Sequence, residues 1–100
     1  MEITVNKTSD STVFEVTGRL DTSTAPSLEA KTKEYFTKTK LMVLDFKNLE
    51  YISSAGIRVV LQAHKGMGAY GGKLVIKSPS DFCQQVFEAT GMDSILSIEK

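Results

Sequence analysis

The sequence predicts a single α/β domain over residues 1–100, built on one mixed central sheet of about five strands with helices packed against it. Three observations predict this fold class. Short β-rich segments alternate with segments of helical period, two helical segments follow hydroxyl residues and a proline, and one segment, Leu41–Phe46, is almost continuously apolar. Strands that alternate with helices pair in parallel and carry a helix layer. The predicted order is β β α β α β α β.

The first three elements are two strands and a helix. Residues 2–6 and 12–17 predict strands, and the turn-forming residues between them predict a hairpin. Thr22–Pro26 predicts the start of the first helix, because proline lacks only an N–H that the first turn does not use. This helix is expected to end near Lys38–Lys40. Its apolar anchors are Leu28, Tyr35 and Phe36.

The centre of the chain predicts a buried strand and a second helix. Because Leu41–Phe46 is apolar nearly throughout, we expect a central strand that is covered on both faces. Asn48–Tyr51 is expected to connect it to the helix, which runs from Ser54 to about Tyr70. The buried stripe of this helix is predicted at Ile57, Val60, Leu61, His64 and Met67.

The last third predicts a strand, a helix and a short final strand. Gly71-Gly72 precedes the strand Lys73–Ile76, and Ile95–Ile98 supplies the final strand. Ser78 is the expected N-cap of the third helix, with Pro79 at its first position. Gly91 is a typical helix stop. The buried stripe is predicted at Phe82, Val86 and Phe87.

Composition excludes several classes of protein. Twelve Lys and Arg residues balance twelve Asp and Glu residues, and no basic run occurs, which argues against nucleic-acid binding. We expect a cytoplasmic protein without membrane association, because the chain shows neither a signal peptide nor an apolar run long enough to span a bilayer. The one cysteine, Cys83, excludes an internal disulfide and is expected to be a small core residue.

Enzymatic and cofactor sites are also disfavoured. Gly66–Gly71 matches G-x-G-x-x-G, but these glycines end a predicted helix, whereas dinucleotide binding requires them to open one. His64 is the only histidine, so no metal cluster is expected, and we expect it to be a hydrogen-bonded, partly buried residue. Ser54 and His64 are ten residues apart on one helix, about 15 Å, too far for a Ser–His pair. We therefore expect no catalytic residue, cofactor or metal.

The segment Tyr51–Leu61, YISSAGIRVVL, places two hydroxyls and a glycine where a helix begins. Ser53 or Ser54 could cap the helix by accepting from its free N–H groups. The same position suits a phosphorylated serine, because the helix N-terminus favours negative charge. In that case Gly56 keeps the approach to the hydroxyl open. Both interpretations remain open from the residues alone.

Several motifs together resemble the STAS domain family, and in particular its bacterial anti-sigma factor antagonists. The motifs are Gly18-Arg19-Leu20-Asp21 before a hydroxyl-rich helix start, Val43–Phe46, and Tyr51–Ile57. The family's acceptor pattern, Asp-Ser-Ser/Thr-Gly-Leu, places Ser54 at the phosphorylated position. Ser53 then replaces the aspartate and Ala55 the second hydroxyl. Ser53 is therefore a second candidate acceptor.

The resemblance implies a STAS-type fold and a phosphorylation-controlled protein switch. The unphosphorylated protein would bind an anti-sigma factor that is also a serine/threonine kinase, and so free a sigma factor. Phosphate on Ser54, added with ATP bound to the kinase, would break this contact, and a serine phosphatase would restore it. The protein is expected to be a monomer. The expected partner-binding residues are Asp21, Thr22, Ser23, Ser53, Ala55, Gly56 and Ile57. The alternative is a STAS-type scaffold that regulates another signalling partner without a sigma factor.

Overall fold

The computed structural model describes residues 1–100 and confirms an α/β fold with a mixed sheet and helices packed against it. It contains six strands, where about five were predicted, and three α-helices. The strands are β1 Glu2–Lys7, β2 Ser11–Leu20, β3 Leu41–Asp45, β4 Leu49–Ile52, β5 Lys73–Lys77 and β6 Ser97–Glu99. The helices are α1 Ala25–Lys33, α2 Ser54–Ala69 and α3 Asp81–Ala89, and a single 3₁₀ turn, Met92–Ser94, precedes β6.

The sheet runs in the order β1-β2-β3-β5-β6, so that β3 is central, as predicted. β1 and β2 form the predicted antiparallel hairpin, and the other neighbours pair in parallel. β4 lies off this path and pairs with β2 alone.

The strand β4 was not predicted, because its residues were interpreted as a connection. It forms because β2 is ten residues long and outlasts its neighbour β3, whose pairing stops at Glu15 and Asp45. The last residues of β2 then pair with β4, after a register shift beside Gly18, whose φ is +89°. A four-residue strand with an exposed glutamate has too little pattern to be recognised alone.

The hydrophobic core lies on one face of the sheet. Nineteen buried residues form one cluster, with members from all three helices and from the sheet positions that face them. Leu41 and Val43 of β3 point to the opposite face and are only half-buried. The prediction that β3 is covered on both faces is therefore wrong for the single chain, because the helices cover one face only.

The buried stripe of α2 is rotated relative to its predicted position. Val60 and Met67 are buried as predicted, but Ile57, Leu61 and His64 are half-buried at its edge. The remaining buried positions are Gly56, Val59 and Ala63. Two of these are small residues, which allow close packing but contribute little to an apolar pattern.

The ends of α1 and α3 also differ from the prediction. α1 ends at Lys33, and Tyr35 and Phe36 follow it in a turn. α3 begins at Asp81, because the Ser80 hydroxyl caps it by accepting from the Cys83 N–H, while Ser78 adopts a φ of +50°. Phe82 was predicted to be buried and is 42% exposed.

At Gly56 the helix α2 lies very close to the sheet. A Cβ atom there would lie 2.8 Å from side-chain carbons of both Ile52 and Leu20, and 3.0 Å from the Leu20 carbonyl oxygen. Both contacts are with buried residues that have no room to withdraw. Gly56 therefore packs the helix against the sheet, and does not act as the open approach to a hydroxyl that we had expected.

We expect Gly56→Ala to lower the free energy of unfolding by about 1–3 kcal/mol, because α2 must shift to make room for the methyl group. Gly68→Ala is the matched control, since it lies in the same helix and its Cβ would meet nothing within 4 Å. That control should raise stability by about 0.5–1 kcal/mol through the better helix propensity of alanine. Urea unfolding measures both, and an equal effect of the two substitutions would contradict the packing role.

Candidate functional site

The candidate site is the corner where β4 passes into α2. The Ser53 N–H donates to the Leu20 carbonyl at 3.0 Å, and the Ser53 carbonyl accepts from the Ile57 N–H at 2.9 Å. One residue thus connects the end of β2 to the first turn of the helix. The corner is held in place by backbone hydrogen bonds, so its side chains have defined positions.

The two serines of this corner differ in accessibility. Ser53 occupies the N-cap position with extended backbone, but its side chain makes no capping hydrogen bond. Its Oγ is buried and has no hydrogen-bond partner. Ser54 is the first residue of α2 and is exposed. Ser54 is therefore the more accessible of the two serines, and neither has the capping role that was the alternative interpretation.

The start of α2 is electrostatically positive. The N–H groups of Ser54, Ala55 and Gly56 precede the first hydrogen bond of the helix and have no partner within it. No acidic residue lies in this first turn of a sixteen-residue helix. A negative group on the Ser54 side chain is therefore favoured by the helix dipole within its own chain.

Asp21 begins the neighbouring loop, between β2 and α1. Its Oδ1 accepts from the Ser23 N–H at 3.0 Å and hydroxyl at 2.8 Å, and from the Thr24 N–H and hydroxyl at 3.2 Å each. The hydrogen bond from the Ser23 hydroxyl is the largest cause that lowers the pKa of Asp21, and the bonds from the Thr24 and Ser23 backbone act in the same direction. The carboxylate therefore stays ionised and orders the loop beside the corner.

The second carboxylate oxygen of Asp21 remains less engaged. Its only ionic contact is with Arg19, whose Nε lies 3.9 Å from Oδ2. The Arg19 guanidinium lies over the Tyr51 ring, 4.1 Å from its centroid, and that ring contacts Phe82 at 5.4 Å. This Arg–Tyr–Phe cluster, composed of Arg19, Tyr51 and Phe82, was not predicted as part of the site.

A groove of about 290 Å³ runs between α1 and α2, and its lining includes Ala55, the residue that follows Ser54. Thr22 and Ala55, both predicted partner-binding residues, line it, whereas Gly56 is buried and Ile57 is half-buried. Sequence reasoning missed its other lining residues, which are Ala25, Pro26, Glu29, Arg58, Val59 and Gln62. Spacing could have indicated two of them, because Ser54, Arg58 and Gln62 recur every four residues and share one helix face.

Other constellations do not come together as sites. The glycines Gly66–Gly71 close α2 and precede β5, which is the reverse of a dinucleotide site. Cys83 is buried, and burial raises the pKa of its thiol, so it is a poor nucleophile. No three His, Cys, Asp or Glu side chains are grouped as metal ligands. None of the helices is both long enough and apolar enough to cross a bilayer.

The chain is similar to known proteins over nearly its whole length. The STAS domain model matches residues 2–100. A putative anti-sigma factor antagonist of Bordetella bronchiseptica, BtrV, is 33% identical over 99 residues, which cover 98% of this chain and 85% of that protein.

Two solved structures of one protein, SpoIIAA, share the fold. The unphosphorylated anti-sigma factor antagonist SpoIIAA aligns with a TM-score of 0.85 at 20% identity, over 99% of this chain and 89% of that one. The phosphorylated form of the Bacillus protein aligns with a TM-score of 0.79, over 99% and 92%. At this identity the likeness shows the fold, and the matching family model shows the family. The chain belongs to the STAS domain family, as do its anti-sigma factor antagonist relatives.

Proposed function

We propose that this protein is an anti-sigma factor antagonist that is switched off by phosphorylation of Ser54. The observation that carries the proposal is the contrast between the two serines of the corner. Ser54 is exposed at the first position of α2, whereas the Ser53 oxygen is buried. A kinase active site must enclose the acceptor hydroxyl, so accessibility selects Ser54 over the second candidate, Ser53.

The surface around Ser54 supports a protein partner over a small molecule. The groove beside it is open, and its lining combines apolar residues with Arg58, Glu29 and Gln62. The loop that carries Asp21, Thr22 and Ser23 adds polar groups on one side of the corner. An open groove of mixed polarity that carries charged side chains is typical of a reversible protein contact. The name of BtrV supports an anti-sigma factor as the partner. We infer that this partner also has serine kinase activity, because Ser54 offers an accessible acceptor hydroxyl.

Phosphorylation would act on this surface by charge. A phosphoserine adds roughly −1.5 to −2 charges at neutral pH. The start of α2 tolerates that charge within the chain, so the fold persists. Across the interface, the phosphate must lose its hydration in a contact built around a neutral hydroxyl and the carboxylate of Asp21. Repulsion and desolvation then release the partner, and the sigma factor is recaptured by the freed anti-sigma factor.

The chemistry belongs to the partners, so this chain is proposed to be a substrate and a regulator, not an enzyme. The Ser54 Oγ attacks the γ-phosphorus of ATP bound in the kinase, the bond to the β-phosphate oxygen breaks, and ADP leaves. The hydroxyl proton passes to a base of the kinase. A serine phosphatase hydrolyses the phosphoester and restores the hydroxyl. The use of cellular ATP places the proposed cycle in the cytoplasm.

We expect mass spectrometry of the protein from its native cells, growing and stressed, to find phosphate on Ser54 in a condition-dependent amount. With the purified kinase, Ser54→Ala should abolish incorporation, whereas Ser53→Ala should retain it, because the Ser53 oxygen is inaccessible. Phosphate on Ser53 in the wild-type protein would contradict the assignment. Absence of phosphate under every condition would leave a constitutive binding module, which is the scaffold alternative.

We expect Asp21→Asn to weaken binding to the anti-sigma factor by about tenfold or more, since truncating a charge at an interface typically costs this much. Asp10→Asn, an exposed aspartate in the β1–β2 turn, is the matched control and should have no effect. Because the folded-state pKa of Asp21 is lowered, the contribution of its ionised carboxylate to folded-state stability is complete above the ordinary aspartate pKa. That contribution is lost as pH falls through the lowered value. Calorimetry should therefore show that the effect of Asp21→Asn does not change with pH around neutrality. Equal binding by both variants would exclude Asp21 from the interface.

A further inference from the structure

The face of the sheet opposite the helices has no cover in the single chain. Val13 and Val43 lie side by side with Val75 across β2, β3 and β5, and Leu41 adjoins them on β3. None of the four contacts the helix-side core. Val75 is already only 5% exposed, so most of the accessible area of the stripe belongs to the half-buried Val13, Leu41 and Val43. These four residues form an apolar stripe at the centre of an otherwise polar surface. We call this whole surface, the side of the sheet opposite the helices, the open face.

Charged residues flank this stripe in a second row. The register places Glu15, Asp45, Lys77 and Glu99 next to one another on β2, β3, β5 and β6. Asp45 is neutralised within the chain, since it accepts from the Lys47 N–H at 3.1 Å and lies 3.8 Å from the Lys47 Nζ. Glu15 and Lys77 form no ion pair within the chain. Glu15 and Lys77, which have opposite sign and lie two strands apart, are therefore without an ionic partner, as is Glu99 on the edge strand β6.

Parallel strands with one bare face are unusual. Sheets built of parallel strands are normally covered on both sides, and their central strands are accordingly apolar on both faces. β3 has that composition, with Leu41 and Val43 on one face and Met42 and Leu44 on the other. The sequence of β3 is thus typical of a strand that is covered on both faces, although the helices of this chain cover only one face.

We propose that the open face is the contact between two copies of this chain. A two-fold axis along β3 places β2 of one copy over β5 of the other. Val13 then meets Val75, and Val43 and Leu41 each meet their own copy on the axis. In the flanking row, Glu15 of each copy faces Lys77 of the other, so two ion pairs form symmetrically. Sheets that pack face to face in this way lie about 10 Å apart with nearly aligned strands.

The self-complementary charges favour a second copy over an unrelated partner. An isologous interface requires that each patch be matched by its own rotated image. The stripe is symmetric about β3, and the two charges one strand away on either side, Glu15 on β2 and Lys77 on β5, have opposite sign. The dimer departs from the monomer that the sequence alone led us to expect. It leaves Ser54 and the groove free, because α1 and α2 lie on the other face of the sheet.

Sedimentation equilibrium of the purified full chain tests the dimer over a range from micromolar to millimolar concentrations. We expect a reversible dimer. Glu15→Lys and Lys77→Glu, which each place like charges opposite one another, should each raise the dissociation constant by about tenfold or more. The double variant should recover most of the loss, because it restores two pairs of opposite sign. Lys31→Glu on the exposed side of α1 is the matched control and should leave the constant unchanged.

Two further variants, Val43→Glu and Ser54→Asp, complete the test. Val43→Glu, on the axis, should give a folded monomer, with folding checked by circular dichroism; if it unfolds, the charge-reversal pair still tests the contact. A wild-type monomer at every concentration would overturn the proposal, as would single reversals that behave like the control. Ser54→Asp should not change dimerisation. Loss of the dimer therefore leaves the proposed function standing, and failure of the Ser54 assignment leaves the dimer standing.

Discussion

The pairing of β4 with the end of β2 is the constraint on which the site depends. Because β2 outlasts β3, its last residues are free to take a second parallel neighbour, and Leu20 pairs with Ile52. The two strands then end side by side, and β2 leads into the loop of Asp21 while β4 leads into the corner of Ser54. The hydrogen bond from the Ser53 N–H to the Leu20 carbonyl fixes their relation. Two segments that are thirty residues apart in the chain become one surface in this way.

The sequence predicted the elements whose signal is local. The β1–β2 hairpin, the central position of β3, and the start of α2 at Ser54 follow from turn residues, an apolar run and a helical period. The missed features depend on tertiary contacts. β4 exists only because β2 offers it an edge, and Gly56 is buried because the helix lies so close to the sheet that no larger residue fits. The short strand and the small residues have no strong pattern of their own.

The candidate site shows the same division. The acceptor motif and Asp21 could be identified in advance only through their resemblance to the STAS family pattern, since the residues alone left capping and phosphorylation open. Spacing indicates that Arg58 and Gln62 share the helix face of Ser54, but the contribution of Glu29 from α1 appears only once the two helices are packed together. Phe82 was placed in the core by its helical spacing, yet it packs against Tyr51 near the surface. Helical period identifies a face, but only packing decides which part of that face is covered.

The close contact of α2 with the sheet has a consequence for signalling. Gly56 packs against Leu20 and Ile52 without room for a methyl group, so the first turn of α2 is held close to the sheet. Under the proposed function, phosphorylation of Ser54 then acts on the partner directly, without a slow rearrangement of the helix in between. The time for which the protein stays unable to bind its partner is then the lifetime of the phosphoester, which the phosphatase sets.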